Sequence, residues 1–177
     1  MTNQPRHLPK DGGVTLLELI LIIVIVGIIS ALAIPTFNYL DQSRTKLAGR
    51  QLAMDITYSR DYAQSTGVRT WTSFNSINQS WTVLAEDPAN PGRANATVLT
   101  NPATGQSYIQ TVDQGEYTGV QMTAINIDGG SEVGFDWLGR PVNETGAALA
   151  SQGQITLNNN HQVVVEPGTG YIQMASP

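Results

Sequence analysis

The chain has 177 residues, no cysteine and a formal net charge of −5. That length holds one modest domain beside a membrane segment, and the missing thiols exclude a disulfide framework and a thiolate metal site. Charge is unevenly placed. Residues 1–70 carry +2 and residues 71–177 carry −7, so the acidic C-terminal part argues against nucleic acid as a ligand.

Residues 1–13, MTNQPRHLPKDGG, are polar, mildly basic through Arg6 and Lys10, and without periodicity. An apolar run follows from Val14 to Ile34. As a helix at about 1.5 Å per residue it is roughly 31 Å long, enough to cross a bilayer. The basic segment before it orients the chain with its N-terminus in the cytoplasm. Glu18 interrupts the run near its start, and a carboxylate in hydrocarbon is costly enough to mark a function.

Three readings compete for this front end. A secretory signal peptide has an A-x-A site in Ala31-Leu32-Ala33, but the run is too long for an h-region and carries a carboxylate. A plain single-pass anchor explains the length and leaves Glu18 without a reason. In the third reading a leader is cut off ahead of the apolar helix, which is retained.

The third reading rests on a motif. Gly13-Val14-Thr15-Leu16-Leu17-Glu18 resembles the cleavage and methylation motif of type IV pilins and type II secretion pseudopilins: glycine, usually Phe, Thr or Ser, Leu, an aliphatic residue and Glu. Val14 departs from the usual Phe. Gly27 and Pro35 stand where that family has a helix glycine and a helix proline. The resemblance implies cleavage between Gly13 and Val14 by a prepilin peptidase/methyltransferase and N-methylation of Val14. It also implies that the Glu18 carboxylate pairs with the N-terminal amine of a neighbouring subunit. The physics agrees, since a buried carboxylate facing a cation is largely compensated. A competing reading lets Glu18 snorkel to the cytoplasmic interface.

Helical pattern resumes after Pro35. Proline removes a helix hydrogen bond and Gly27 weakens the turn before it, so Gly27–Pro35 is a candidate hinge. Ala48, Leu52, Ile56, Ser59 and Ala63 recur at spacings of three and four, which makes one small or apolar stripe. Arg44, Lys46, Arg50, Asp55, Arg60 and Asp61 are placed largely off it. Gly67 is a C-cap residue. The pattern predicts one helix from about Val14 to Thr66, its first half in the membrane and its second half packed on a β-sheet.

From Val68 the period changes to two. VRTWTSF and SWTVLA, separated by residues 75–79, predict a hairpin. VQMTAINI, EVGF, QITL, QVVVEP and YIQMA predict further strands, with turns at Asn158–His161 and Gly168-Thr169-Gly170. Residues 86–118, rich in proline, glycine and polar residues, predict a long surface loop with at most one short strand near Ser107–Val112. SRDYAQSTGVRTWTSF, GFDWLGRPV and QITL–turn–QVVVEPGTGYI resemble the minor pseudopilin H and minor pilin FimT group, and minor pilins of the mannose-sensitive haemagglutinin pilus.

The chain offers little chemistry of its own. His161 is the one histidine beyond the leader, no His pair sits at helical spacing, and the acidic residues are scattered, so neither a metal site nor a cofactor is expected. Gly168-Thr169-Gly170 lacks the strand-to-helix setting of a dinucleotide loop, and no nucleophile elbow is present. Trp71, Trp81 and Trp137 read as core or interface anchors.

The expectation is an α+β, pilin-like fold. Residues 1–13 form a cytoplasmic leader, 14–35 the transmembrane half of the helix, 36–66 its periplasmic half, and 67–177 an antiparallel β-rich domain. By resemblance the protein is a non-enzymatic filament subunit of the bacterial inner membrane, in a secretion pseudopilus or a pilus. Its implied partners are other pilin or pseudopilin subunits, the peptidase, an inner-membrane assembly platform and lipid. The alternative is a membrane-anchored periplasmic binding or enzymatic domain, which would need no Gly13/Glu18 pair.

Overall fold

A computed structural model of the chain describes residues 13–175, without the side chains of 32–38 and of Asn159. The predicted leader, apart from Gly13, lies outside the described residues. Two compact units divide the chain, the first ending at Tyr39 and the second running Leu40–Pro177.

Helix α1, Leu16–Thr66, begins in the first unit and ends in the second. It starts two residues later than the apolar pattern predicts, because Thr15 serves as its N-cap. The Thr15 Oγ1 accepts from the Glu18 N–H at 3.2 Å and the Thr15 carbonyl accepts from the Leu19 N–H at 3.1 Å, which satisfies donors a helix start leaves open. Thr15 and Glu18 have the spacing of a capping box. The backbone is helical through Gly27 and Pro35, so neither residue terminates the element. At the far end Gly67 takes φ +76° and its N–H reaches the Ala63 carbonyl at 2.9 Å. That left-handed cap is open to glycine at no steric cost. Among the described residues no helix is long and apolar enough to cross a membrane; the apolar run of the sequence extends to Ile34, into the stretch whose side chains are not described.

In the second unit α1 lies against two antiparallel sheets, where the sequence predicts one. The first sheet contains β1 (Thr70–Asn75), β2 (Ser80–Ala85), β3 (Thr97–Val98), β4 (Ile109–Thr111), β6 (Glu132–Phe135) and β7 (Pro141–Val142). Its order is β3-β2-β1-β6-β7, with β4 also on β2. The second sheet has the order β10-β9-β8-β5, from β5 (Met122–Asn126), β8 (Gly153–Leu157), β9 (Gln162–Val165) and β10 (Ile172–Ala175). Period-two patterning identifies strands but carries no information on which sheet a strand joins, and that is where the expectation falls short.

The predicted hairpin forms in register, Phe74 opposite Trp81 and Trp71 opposite Leu84. The Asn75 side chain closes its turn by accepting from the Ile77 and Asn78 N–H groups. Segment 86–118 departs from expectation. It contributes two short strands, and both lie on the outer edge of β2: β3 beside Leu84 and Ala85, β4 beside Ser80, Trp81 and Thr82. A two-residue strand shows no alternation, so β3 was not legible. β7 was missed for another reason: it opens with Pro141, which a strand tolerates only at a sheet edge.

The predicted stripe is the buried face of α1. Ala48, Leu52, Ile56, Ser59 and Ala63 are fully buried, and the four apolar ones share one core cluster with Phe74, Trp81, Phe135, Ile155, Leu157 and Val163 from both sheets. Burying one Leu or Ile side chain contributes about 1.5–3 kcal/mol. Hydroxyls close the contact of α1 with β1: Ser59 Oγ donates to Thr70 Oγ1 at 3.0 Å, and Thr70 Oγ1 donates to the Ser59 carbonyl at 2.9 Å. Asp55 corrects the reading of this face. The charge pattern sets it largely off the stripe, yet it is buried on the stripe itself.

Candidate assembly site

The first unit presents a continuous exposed surface. Every side chain from residue 13 to residue 31 is exposed, and within that stretch Glu18 is the sole charged residue. Val14 is 67% exposed, and Leu16, Leu17, Leu19, Ile20, Leu21 and Ile22 are all more than half exposed. Apolar surface of this extent marks contact with a membrane or with other proteins. A carboxylate on such a face needs a cation or the interface to host it.

The structure sets Gly13, Val14 and Glu18 around the start of α1, with Thr15 between them as the cap. No atom lies within 4 Å of where a Cβ on Gly13 would stand, and the same holds for Gly27. Among the described residues nothing therefore requires glycine at residue 13. Gly27 lies within α1, and the Pro35 side chain is outside the description. Glu18, Gly27 and Pro35 share helix α1, while Gly13 and Val14 lie just ahead of its first residue.

The second unit holds a polar node that sequence reasoning missed. Asp55 Oδ1 accepts from Gln51 Nε2 at 2.7 Å and from the Tyr108 hydroxyl at 3.0 Å, while Oδ2 accepts from Trp81 Nε1 at 2.7 Å. Burial raises the Asp55 pKa above the ordinary carboxylate value, and the three donors only partly offset it. The Tyr108 ring also stacks on Tyr58 with centroids 5.2 Å apart, and burial pushes its hydroxyl pKa up, the nearby Asp55 charge adding to the effect. Asp55 lies three residues after Leu52 and seven after Ala48, which puts it on the same helix face. Its spacing was the available signal.

Of the tryptophans, Trp71 and Trp81 are in the interior, whereas Trp137 is 58% exposed. His161 is buried beside the 3-10 turn of Asn158–Asn160. Among the described residues no group of three or more acids and histidines could hold a metal ion.

Trp137 sits in a tightly braced turn, Asp136 to Arg140. Asp136 Oδ1 accepts from the Leu138 and Arg140 N–H groups at 3.0 and 2.9 Å, and Oδ2 accepts from Arg140 Nε at 2.7 Å. Burial alone would raise the Asp136 pKa, but the Arg140 backbone and guanidinium bonds outweigh it and hold the carboxyl below its ordinary value. Gln64, in the last turns of α1, donates to the Leu138 carbonyl at 3.1 Å, and Arg60 donates to the Gly170 carbonyl at 3.2 Å. The carbonyl of Gly139 fills the space a side chain on Gly170 would need, so the β6–β7 and β9–β10 turns touch through their backbones.

No family profile matches the chain, and no curated protein does. Solved structures do. A structure of the minor pseudopilin EpsH from the type 2 secretion system of Vibrio cholerae matches with a TM-score of 0.54 at 10% identity, covering 76% of this chain and 98% of that one. A second crystal structure of EpsH from the same system gives a TM-score of 0.55 at 10% identity, covering 76% and 95%. A likeness at that identity concerns the backbone: the chain has the α+β fold of this minor pseudopilin, a long N-terminal helix laid on antiparallel sheets.

Proposed function

We propose that this protein is a minor subunit of a type II secretion pseudopilus or a type IV pilus, built into the filament through the N-terminal half of α1. The observation that carries the reading is the exposed apolar segment from residue 13 to residue 31 with Glu18 as its sole charge, on a chain with the fold of EpsH. A subunit needs such a surface twice, first in the inner membrane and then among other subunits. The protein's role is structural rather than enzymatic.

In this reading the prepilin peptidase cuts between Gly13 and Val14. A peptidase that tolerates little side chain before the cut accounts for a glycine that nothing among the described residues requires. The new Val14 amine is then methylated. Residues 14–35 span the inner membrane, with the second unit in the periplasm, and the assembly platform passes the subunit into the filament. Glu18 pairs with the terminal amine of a neighbouring subunit and fixes its register, as buried polar groups do between helices. Gly27 and Pro35 supply the flexibility with which the helix adapts to that packing.

Mass analysis of the membrane-extracted protein tests the processing. The expected N-terminus is Val14, with the mass of one added methyl group, and Gly13→Leu should leave the leader in place. A mature chain beginning at Ile34, after Ala31-Leu32-Ala33, would contradict the reading and restore the signal peptide.

A further inference from the structure

The β6–β7 turn borders a cavity of about 340 Å³ whose lining includes Arg69, Asp136, Trp137, Arg140, Val142 and Leu149. Its apolar floor is Val142 and Leu149, both buried. Its polar wall is unevenly charged. The Asp136 carboxylate is consumed by Arg140 and two backbone N–H groups. Arg69 is exposed, and among the described residues its guanidinium makes no hydrogen bond or ion pair. The Glu86 carboxylate meets the Arg69 backbone N–H rather than its guanidinium, so on a chain of net charge −5 a cation with unused donors lines a cavity of mixed polar and apolar character. Beside it stand Trp137, Leu138 and Tyr171, exposed by 58%, 48% and 58%, on two turns that Gln64 and Arg60 of α1 hold in place.

We infer that this face is a docking site for a loop or terminal segment of another filament subunit, one that carries an Asp or Glu beside an apolar side chain. The carboxylate meets Arg69 at the cavity mouth, the apolar side chain enters between Trp137 and the Val142–Leu149 floor, and Leu138 and Tyr171 extend the contact. Charge sets the occupant's chemistry, because the Arg69 guanidinium has unused donors while the Asp136 carboxylate is already satisfied. Trp, Tyr and Arg are the residues that dominate interface energetics, and a braced platform loses little entropy when a partner binds. This site rests on the reading of the chain as a filament subunit.

In-cell photocrosslinking of the full-length chain tests it, with p-benzoylphenylalanine in place of Tyr171 in one strain and of Leu19 in another. Leu19 lies on the exposed helix, and an adduct there to another subunit reports filament packing. The expected result is an adduct at position 171 whose partner peptide, identified by mass spectrometry, belongs to a second pilin-like subunit and contains an Asp or Glu within a few residues of the link. Arg69→Glu should cut that adduct at least about tenfold, and Trp137→Ala should weaken it in the same direction, while the Leu19 adduct persists. A Leu19 adduct without one at 171, a 171 adduct to lipid or to a non-acidic peptide, or one indifferent to both substitutions would overturn the docking site and leave the filament reading standing. Absence of both adducts would overturn the filament reading and the site with it.

Discussion

Trp81 Nε1 donates a hydrogen bond to Asp55 Oδ2 at 2.7 Å, from strand β2 to the buried face of helix α1. The carboxylate is also met by Tyr108 and Gln51, so it joins the helix, the hairpin and the segment before β4. Among the described residues no cation completes the group, which makes its charge costly and its hydrogen bonds necessary.

Asp55→Ala and Asp55→Asn should therefore act in opposite ways. Alanine leaves the Trp81 and Tyr108 donors buried and unsatisfied, at about 1–3 kcal/mol each. Asparagine keeps an acceptor for Trp81, and its amide can donate to Tyr108 and to a flipped Gln51, so it should be tolerated. The pH dependence follows from the raised pKa. A carboxyl raised in the folded state favours folding most when protonated, below its unfolded value, and loses that contribution as pH rises through its folded value. The stability of Asp55→Asn relative to the parent should grow across that window and level off above it. Urea titrations at several pH values measure this, and a constant difference would contradict it.

Leu52 tests the packing of the helix on the sheets. The second unit, Leu40–Pro177, is compact by itself, so a chain beginning at Leu40 should unfold cooperatively without a membrane. Leu52 is fully buried in its core, and Leu52→Asp should cost more than about 3 kcal/mol. Thermal unfolding followed by circular dichroism reads the shift. An unchanged midpoint would mean that another face of α1 meets the sheets.

Gly134 tests the first sheet. A Cβ there would stand under 3 Å from the Thr70 carbonyl oxygen and the Trp71 ring, since Gly134 pairs with Trp71 across β1 and β6. Gly134→Ala should destabilise by about 1–3 kcal/mol through overpacking, seen as a lower denaturant midpoint at unchanged slope.

The sequence revealed the helix best, because one periodic stripe from Ala48 to Ala63 specifies a buried face wherever the sheets stand. Strand identity was legible from alternation, while the division into two sheets was not, since it depends on which strands pair. The short strands β3 and β7 hold too few residues for a period. At the front end the Gly13–Glu18 spacing was visible, but the role of Thr15 as N-cap needed the backbone. Asp55 shows the limit of sorting residues by polarity: its helical spacing points to burial, while its charge points to solvent. The Arg69 cavity joins segments some seventy residues apart, so no local pattern could announce it.

Glu18 carries the central claim, and its substitution tests that claim most directly. Glu18→Ala makes the helix more apolar, so membrane insertion should be unimpaired. Glu18→Gln keeps size and hydrogen bonding and removes only the charge. The measurement is the fraction of each processed variant that co-purifies with sheared filaments, or with the secretion apparatus, relative to the parent. If Glu18 pairs with a neighbouring subunit's amine, both variants should be cut at Val14, accumulate in the membrane and enter the filament poorly. Incorporation equal to the parent in both variants, with normal secretion or piliation, would contradict the pairing and the assembly role built on it.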